Sequence, residues 1–416
     1  MSEWKEYKLG DLCTSQNGYA FKSSSFRSQG KINVIKIKEL KNGLVDFSED
    51  TAKVEKQQEL YKFIVNKGDI IFALTGDPIT KSNPGSWVGR VSLYNHQEPA
   101  YLNQRVGKII CGADIDNLYL YYYFRWFPIF KTLASKAKGS ASQANISLND
   151  ILETVIKLPT LFEQRRISSI LSSLDDKIAV NKKICENLEA QAQALFKHWF
   201  VDFAPFKDGQ FVESELGLIP EGWRVGTLGD IAEINPTRKI SKGQIATYLD
   251  MKNMPTSGSF PLNWEEKEFT GGMRFKNGDT LMARITPCLE NGKVAYVNFL
   301  QDEEIGFGST EYIVMTAKHS IFPELLYTLC RFPFFVGYAT KHMNGSSGRQ
   351  RVSGDSISNY PMVLAPDAVY NQLRPIFENF MRQIREIGFE NLRLATLRDT
   401  LLPKLMSGEI KVGDVK

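Results

Sequence analysis

Cysteine and histidine are scarce in this sequence, and neither is arranged in a metal-binding pattern. The 416 residues include 5 cysteines and 4 histidines. The cysteines are scattered along the chain without a Cys-x-x-Cys pair, and the histidines do not have the spacing of a zinc ligand set. We therefore expect buried free thiols rather than disulfide bonds, and no bound metal.

Long apolar stretches are also missing. No window contains the roughly 18 apolar residues that a membrane-spanning helix needs. The first residues, MSEWKEYKLGD, lack the apolar segment of a secretory signal. Apolar residues make up 43% of the chain and charged residues 24%, as in ordinary soluble proteins. The sequence predicts a cytoplasmic protein of two or three domains with no membrane association.

Catalytic motifs are missing as well. The sequence has no GxxxxGK[ST] phosphate-binding loop and no glycine pattern suited to a dinucleotide or to S-adenosylmethionine. Asp77-Pro78-Ile79-Thr80 is the nearest match to the Asp-Pro-Pro-Tyr loop of adenine methyltransferases. It lacks the second proline and the aromatic residue that stacks on a flipped base, so we interpret it as a turn. We expect no catalytic residue in this chain and no cofactor bound by it.

The sequence does contain a duplication, with a period of just over 200 residues. Short segments recur in the same order, although the intervals between them differ by several residues. The matching segments are Trp4–Leu12 with Trp223–Ile231, Lys67–Ala73 with Asn277–Ala283, Gly89–Val91 with Gly292–Val294, Phe127-Pro128 with Phe332-Pro333, and Gly139-Ser140 with Gly345-Ser346. An ordered set of matches is hard to explain by chance and predicts two copies of one fold.

Each repeat ends in a long helical stretch whose apolar period is 3.5 residues, which is typical of coiled coils. The first series of apolar or small positions is Ile167, Leu171, Leu174, Ile178, Asn181, Cys185, Leu188, Ala192, Leu195 and Trp199. The second series, 206 residues later, is Leu373, Phe377, Phe380, Ile384, Ile387, Asn391, Leu394, Arg398, Leu401 and Leu405.

Two interpretations of these stretches are open. Each could be an amphipathic helix packed on its own domain, or the two could pack against each other. Identical register after two globular segments favours an antiparallel pair with pseudo-two-fold symmetry. Asn181, Asn391 and Arg398 interrupt the apolar seam. Buried polar groups of this kind can fix the register of a coiled coil at a cost in stability.

Prolines indicate where these helices begin. Pro159 precedes the first stretch and Pro366 the second, and proline is tolerated at or before a first helical turn. Pro375 falls inside the second stretch, where it predicts a break or kink near Arg374.

The rest of the chain mixes short strands, turns and few long helices. Strands are predicted at Lys31–Glu39, Asp69–Leu74, Val88–Leu93 and Arg105–Cys111. The aromatic stretch Leu118–Phe130 is either a packed helix, which we favour, or a platform for base stacking. We predict a mixed α/β (α+β) chain with two similar globular domains, 1–158 and 207–364, and two helical regions, 159–206 and 365–416.

Three further strings resemble the DNA-specificity (S) subunits of type I restriction-modification systems. Leu195–Phe203 is similar to the end of that family's central helix. Leu218–Trp223, followed by Leu228–Asp230, is similar to the start of its second target-recognition domain. Leu401–Ile410 is similar to its carboxyl-terminal motif. Together with the duplication, the resemblance covers essentially the whole chain.

The resemblance implies a subunit without catalytic activity of its own. Each globular domain would read one half of a bipartite, asymmetric target in double-stranded DNA. The helices would set the gap between the halves and dock two methyltransferase (modification) subunits, which use S-adenosylmethionine. Restriction subunits, which use ATP with Mg²⁺, would join the full complex. The alternative is a stand-alone two-domain DNA-binding regulator, against which the lack of a helix-turn-helix motif counts.

Base recognition commonly uses Arg, Lys, Asn and Gln side chains on projecting segments. The best candidates are two corresponding loops, Lys136–Asn145 and Lys341–Arg351, which combine glycine and serine with cations and amides. Two corresponding short segments, Asn103–Arg105 and Ser309–Glu311, are further candidates. The predicted DNA-contacting residues are Lys136, Lys138, Ser140, Gln143, Asn145, Asn103, Gln104, Arg105, Lys341, Asn344, Ser346, Ser347, Arg349, Gln350, Arg351, Ser309 and Thr310. An ordinary solvated surface loop is the other interpretation of each segment.

Overall fold

The computed structural model describes residues 4–412, apart from 28–29, 78–86, 141–142, 319–320 and 347. The chain divides into two compact units. The first unit consists of Met1–Asp176 and Ala395–Lys416, and the second of Lys177–Leu394. Each unit therefore contains one globular repeat together with parts of both long helical stretches.

The first unit is built on short strands and short helices. Its strands are β1 Lys5–Lys8, β2 Cys13–Asn17, β3 Ile32–Ile35, β4 Leu40–Lys41, β5 Leu44–Val45, β6 Lys53–Val54, β7 Ile64–Val65, β8 Ile70–Ala73, β9 Thr75–Gly76, β10 Val91–Leu93, β11 Ala100–Leu102, β12 Val106–Cys111, β13 Lys138–Ser140, β14 Gln143–Asn145 and β15 Val155–Leu158. Its helices are α1 Leu9–Leu12, α2 Asn117–Arg125, α3 Phe127–Ser135, α4 Leu148–Leu152 and the first part of α5 Leu161–Phe200.

The second unit has a similar series of elements. Its strands are β16 Phe211–Ser214, β17 Gly217–Pro220, β18 Arg224–Thr227, β19 Ala232–Ile234, β20 Ile245–Leu249, β21 Glu265–Glu268, β22 Met273–Phe275, β23 Asp279–Ala283, β24 Val294–Tyr296, β25 Gly306–Gly308, β26 Tyr312–Ala317 and β27 Pro361–Leu364. Its helices are α6 Leu228–Ile231, α7 Pro323–Arg331, α8 Pro333–Lys341, α9 Gly354–Ser358 and most of α10 Asp367–Met406.

The strand order shows that the two units are copies of one fold. The order β2-β12-β8-β10 in the first unit recurs as β19-β26-β23-β24 in the second. The order β6-β3-β11-β7 recurs as β21-β20-β25-β22, and β3–β11 and β20–β25 are both parallel pairs. In each copy the first strand pairs with the last, β1 with β15 and β18 with β27. The predicted duplication and the mixed α/β class are confirmed.

The aromatic stretch of the first repeat is helical and packed, as predicted, but it forms two helices, α2 and α3, with a break at Trp126. Tyr119, Tyr121, Tyr122 and Phe124 in α2 are all at most 2% exposed, so none of them offers a free face to a base. The helix covers the central strand β8, where the rings of Phe72 and Phe124 meet edge to face at 5.1 Å. Burial of large apolar rings is the main stabilising contribution here.

The sequence predicts the strands better than it predicts their ends. The predicted strands at Asp69–Leu74 and Arg105–Cys111 correspond to β8 and β12. The predicted strand Lys31–Glu39 is wrong in its second half, where the chain turns into a 3-10 helix at Ile37–Glu39. The Glu39 carboxylate accepts a hydrogen bond from the backbone N–H of Lys36 at 3.0 Å, which stabilises the turn instead of the strand.

The long helices begin after the predicted prolines and have the same length. Every residue of α5 corresponds to one of α10 at an offset of 206 residues. The predicted break near Arg374 is wrong, because α10 continues through Pro375. Proline cannot donate to the carbonyl of Asn371, four residues earlier. Asn371 and Pro375 are both exposed, so water can donate to that carbonyl instead.

In the first unit, the beginning of α5 packs against the end of α10. Ile167 and Leu171 belong to the same buried apolar cluster as Leu405 and Met406. Because residues early in α5 meet residues late in α10, the two segments run antiparallel. The predicted pairing of the helices, rather than separate packing of each on its own domain, is confirmed in this unit.

In the second unit, the later part of α5 packs against the earlier part of α10. Leu188 lies in one apolar cluster with Leu373, Phe377 and Ile384. The remaining predicted seam positions in the two helices are also buried or half-buried: Leu174, Ile178, Cys185, Ala192, Leu195, Trp199, Phe380, Ile387, Asn391, Leu394, Arg398 and Leu401. The second unit therefore shows the same antiparallel pairing.

A hydrogen-bonded asparagine pair interrupts the seam of the second unit. Asn181 is 1% exposed, and its Nδ2 donates to Asn391 Oδ1 at 2.9 Å and to Glu390 Oε2 at 2.7 Å. Only one alignment of the two helices lets both side chains pair. The predicted polar interruption is therefore satisfied, and it fixes the helix register.

Loss of one asparagine is expected to cost more than loss of both. Asn181→Ala should reduce the free energy of unfolding by about 1–3 kcal/mol, because Asn391 loses its partner. Asn181→Leu combined with Asn391→Leu should recover most of that loss, since apolar residues suit the seam. Urea unfolding measures the free energy of unfolding of the single and the double variant, with Lys182→Ala, at an exposed position, as the control. Equal losses in the single and double variants would contradict this explanation.

An arginine–tyrosine pair fastens each globular repeat to α5. In the first unit, the Tyr122 hydroxyl and Arg125 Nη1 donate to Asp175 Oδ2 at 2.8 and 3.2 Å. Arg398 Nη1, from the end of α10, binds the other oxygen of Asp175 at 2.6 Å. One carboxylate thus joins α2, α5 and α10.

The second unit attaches to α5 through a different carboxylate, Glu189. Tyr327 donates its hydroxyl hydrogen to the Glu189 carboxylate at 3.1 Å, and Arg331 Nε donates to the Tyr327 oxygen at 3.1 Å. Arg331 lies 206 residues after Arg125, the same offset that relates the two long helices. The arginine is therefore repeated, but its carboxylate is not, because the residue 206 positions after Asp175 is Met381 on α10.

Candidate DNA interface

The segment between β11 and β12 in the first unit is a tight, firmly held turn. Asn103 N donates to Ile35 O at 3.0 Å, and Leu74 N donates to Arg105 O at 3.0 Å. A side chain at Gly18 would lie 1.9 Å from Asn103 O, so the backbone of the turn packs directly on that glycine. Gln104 and Arg105 are exposed at its tip. A turn held this way presents its side chains in a fixed place.

The predicted loop Lys136–Asn145 is wrong as a loop, because it forms the hairpin β13–β14. β14 also pairs with β9 through Asn145↔Thr75, where Thr75 Oγ1 donates to Asn145 Oδ1 at 2.7 Å. These pairings satisfy backbone groups that a solvated loop would expose to water. Residues 141–142, at its tip, lie outside the described residues.

The lysines and amides of this hairpin differ in their surroundings. Lys136 Nζ donates to Asp150 O at 3.2 Å and to Thr154 Oγ1 at 3.3 Å, so it supports the hairpin base. Lys138, Gln143 and Asn145 are exposed. Ser140 lies in β13, and its side chain is outside the described part of the structure.

The turn and the hairpin meet at one cleft of about 320 Å³. Its lining residues are Ile37, Thr75, Gly76, Asp77, Trp87, Arg105 and Gln143. Arg105 and Gln143 come from two separately predicted segments, and neither side chain has a hydrogen-bond partner among the described residues. The structure therefore brings together a guanidinium and an amide, both common in base recognition.

Gly139 is required for the hairpin. Its φ is +150°, and a Cβ there would lie 2.2 Å from Gln143 O on the opposite strand. Gly139→Ala is therefore expected to lower the free energy of unfolding by about 1–3 kcal/mol. Gly337→Ala is the matched control, because Gly337 lies in α8 and a Cβ there would meet nothing within 4 Å. Differential scanning calorimetry distinguishes them; equal melting temperatures would contradict a strained hairpin.

The second unit places its candidate residues in the corresponding positions. Ser309 and Thr310 form the turn between β25 and β26, as Asn103–Arg105 do between β11 and β12. Asn344 bridges to Arg351, which also bridges to Ile285. The predicted loop Lys341–Arg351 therefore includes a short paired segment, which the prediction missed.

The remaining candidates of this loop lie on or beside that paired segment. Lys341 is the last residue of α8 and is exposed. Ser346 and Arg349 are exposed, and Gln350 is half-buried, its carbonyl accepting from Thr286 N at 3.1 Å. Ser347 is outside the described residues. Contact of any of these residues with DNA stays a prediction.

An ion pair joins the turn and the loop of the second unit. Arg351 Nη2 and Nε donate to Glu311 Oε1 at 2.7 and 3.0 Å. These hydrogen bonds, and then the charges of Arg351 and Arg284, lower the pKa of Glu311 from its ordinary value of 4.5, although burial opposes them. Glu311 is thus held as a carboxylate by the Arg351 guanidinium.

This ion pair makes the second unit sensitive to acid. A carboxylate whose folded pKa is lowered adds stability above its unfolded pKa, and this contribution is lost as pH falls through the folded pKa. Between about pH 5 and pH 3, wild type should therefore lose more stability than Glu311→Gln. Thermal melts at each pH test this expectation. Parallel curves for the two proteins would contradict it.

Trp87 and Asp77 are missing from the predicted contacts, and Arg284 is only a weaker candidate from the sequence. Trp87 and Asp77 line the cleft of the first unit, and Arg284 lies beside Glu311. The sequence places Asp77 in a turn, and the rest of that string, residues 78–80, lies outside the described residues. The duplication offers one signal, because Arg284 follows the segment Asn277–Ala283 that matches Lys67–Ala73.

The described residues contain no group of three or more His, Cys, Asp or Glu side chains that could hold a metal ion. The five cysteines are free thiols. Among the described residues, no helix is long and apolar enough to cross a membrane.

Comparison with known proteins agrees with this geometry. The family model for the type I restriction modification DNA specificity domain matches residues 1–190. The HindI specificity subunit of Haemophilus influenzae is 23% identical, with 99% of this chain and 100% of that one covered. The chain is therefore similar to type I specificity subunits, within the family model over residues 1–190 and to the HindI subunit over nearly its whole length.

Two further proteins are similar to this chain, one in sequence and one in fold. The MjaIX specificity subunit of Methanocaldococcus jannaschii is 26% identical over 79% of this chain and 76% of that protein. The crystal structure of the type I restriction-modification S subunit from M. genitalium has the same fold, with a TM-score of 0.56 and 16% identity over 97% of this chain and 96% of that one. The resemblance inferred from Leu195–Phe203 and the other strings is confirmed.

Proposed function

We propose that this chain is the DNA-specificity subunit of a type I restriction-modification complex. Each globular repeat reads one half of a bipartite target in double-stranded DNA, and the subunit itself carries no catalytic centre. The observation that carries the proposal is that two copies of one fold hold their candidate contact residues at corresponding places.

The target is asymmetric because the two copies carry different side chains at those places. The first unit presents Arg105 and Gln143 at its cleft, whereas the second presents Ser309, Thr310 and the Glu311–Arg351 ion pair. Different donors and acceptors select different base pairs in the major groove. Two such readers therefore recognise two unlike half-sites.

The paired helices set the unspecific gap between the half-sites. Each helix has 40 residues, which corresponds to about 60 Å at 1.5 Å per residue. The apolar seams and the Asn181–Asn391 pair favour one register of the two helices. Readers of one duplex face are commonly about 34–36 Å apart, one helical turn.

Partner subunits supply the chemistry. Two methyltransferase subunits, using S-adenosylmethionine, dock on the helical regions, and restriction subunits using ATP with Mg²⁺ complete the assembly. This chain binds neither cofactor. Its contribution is the choice of DNA sequence.

Reconstitution with a cognate modification subunit tests the proposal. The complex methylates a plasmid library, and sequencing of modified adenines gives the motif. We expect one gapped, asymmetric motif, which disappears when this chain is omitted. Methylation that does not depend on this chain, or methyl transfer by the chain alone, would overturn the proposal. Tight sequence-specific binding without any methylation would favour a stand-alone regulator.

A further inference from the structure

Arg105 and Glu311 occupy the same place in the two copies of the fold. Leu74 N donates to Arg105 O at 3.0 Å, and the corresponding Arg284 N donates to Glu311 O at 2.9 Å. Both residues end the turn that leads into the long strand, β12 or β26. The same backbone position therefore carries a cation in the first unit and an anion in the second.

Asn145 and Arg351 form a second pair of equivalent residues. The residue after each donates its N–H to the matching carbonyl, Ile146 to Leu74 at 2.9 Å and Val352 to Arg284 at 3.0 Å. In the first unit this position is the uncharged Asn145, whose Oδ1 accepts from Thr75. It therefore supplies no ionic partner for Arg105. In the second unit Arg351 takes Glu311 as its partner.

The two equivalent pairs, Arg105 with Asn145 and Glu311 with Arg351, consequently offer different chemistry. In the second unit, Arg351 and Glu311 neutralise each other and join the turn after β25 to the paired segment at Asn344 and Arg351. In the first unit, the Arg105 guanidinium is exposed and forms no ion pair or hydrogen bond with any described residue. It shares the cleft with the exposed amide of Gln143.

The composition of this cleft suits base edges better than phosphate. Asp77, whose carboxylate accepts from Trp87 N at 3.3 Å, lies in the same cleft as Arg105. A carboxylate repels phosphate, but base edges carry both hydrogen-bond donors and acceptors. The backbone of Arg105 is fixed by the core, as base recognition by a single side chain requires.

We propose that Arg105 reads a guanine of the first half-site through its O6 and N7 atoms, a contact that rests on the proposed function above. The guanidinium fork donates two parallel hydrogen bonds to these acceptors. The second half-site has no equivalent arginine contact at the matching place. There Glu311 and Arg351 act as positioning residues that hold the turn and the paired segment together.

Arg105→Ala and Arg105→Lys test this contact in the complex with a modification subunit. Sequencing of modified adenines should show one G·C position of one half-site becoming degenerate, with discrimination there reduced about 10- to 100-fold for Arg105→Ala. Arg105→Lys keeps the charge but not the planar fork, so it should also relax that position. The other half-site should stay unchanged. Lys131→Ala, which removes an exposed cation on α3, is the control.

Other results would overturn the inference and are distinguishable from failure of the proposed function. A uniform loss of methylation with an unchanged motif would indicate a phosphate contact instead. An unchanged motif at unchanged rate would exclude any role of Arg105 in recognition. In both cases wild type still yields a gapped motif, so the proposed function stands. If wild type yields no gapped motif, both are overturned. Thermal unfolding should be unaffected, because Arg105 is exposed.

Discussion

Leu405→Ala is expected to lower the free energy of unfolding of the first unit by about 2–5 kcal/mol. Leu405 is 0% exposed and lies near the end of α10, yet its apolar neighbours include Ile167 and Leu171 at the beginning of α5. Removing its side chain leaves a cavity in the core that also contains the aromatic residues of α2. The carboxyl-terminal helix thus stabilises the amino-terminal repeat.

Hydrogen–deuterium exchange locates this effect. Faster exchange should appear in the first unit, including β8 and α2, while the second unit stays protected. Leu397→Ala is the matched control, since Leu397 lies on the same helix and is 47% exposed. If Leu405→Ala instead loosened only the second unit, the assignment of Ala395–Lys416 to the first unit would be wrong.

Asp175→Ala is expected to cost about 2–4 kcal/mol at neutral pH. Its carboxylate lies between Arg125 and Arg398, whose side chains are only 21% and 17% exposed. Removing the carboxylate leaves the partly buried Arg125 guanidinium without its ionic partner and the Tyr122 hydroxyl without its acceptor, whereas Arg398 keeps Asp399. A charge left uncompensated in this way costs far more than a surface ion pair contributes.

Two further variants separate charge from general disruption at this site. Asp175→Asn keeps an acceptor for Tyr122 but not the charge, so its loss should be intermediate in urea unfolding. Asp176→Ala removes an exposed neighbouring carboxylate and should have little effect. A similar loss for Asp175→Ala and Asp176→Ala would contradict the joining role of Asp175.

The features that can be predicted from sequence are those repeated at a fixed period. The two heptad series locate α5 and α10, because a seam of apolar residues such as Ile167 and Leu373 must be buried wherever it occurs. The offset of 206 residues predicts their equivalence, and the structure shows it. The buried Asn181 is also predicted, since polar residues in a seam need partners.

The features that cannot be predicted from sequence depend on contacts between distant residues. The segment that forms the hairpin β13–β14 is predicted as a loop, because its strands are three residues long and contain glycine, serine and amide residues. Its stability comes from pairing with β9 and from Gly139, which local sequence cannot reveal. Likewise, nothing in the local sequence indicates that Arg351 binds Glu311.

The helix break predicted at Pro375 is absent for a related reason. Proline in a helix interior removes one hydrogen bond, but the cost depends on whether the orphaned carbonyl is solvated. The carbonyl of Asn371 belongs to an exposed residue, so α10 continues through Pro375. Tertiary burial, rather than local propensity, decides whether the helix continues.

A series of DNA substrates that differ only in gap length tests most directly whether the helix pair fixes the distance between the two readers. The substrates carry both half-sites of the mapped motif, separated by the natural gap or by one to three base pairs more or fewer. We expect the reconstituted complex to methylate one gap length efficiently and to discriminate strongly against its neighbours. Similar methylation across the series would contradict a fixed distance between the readers.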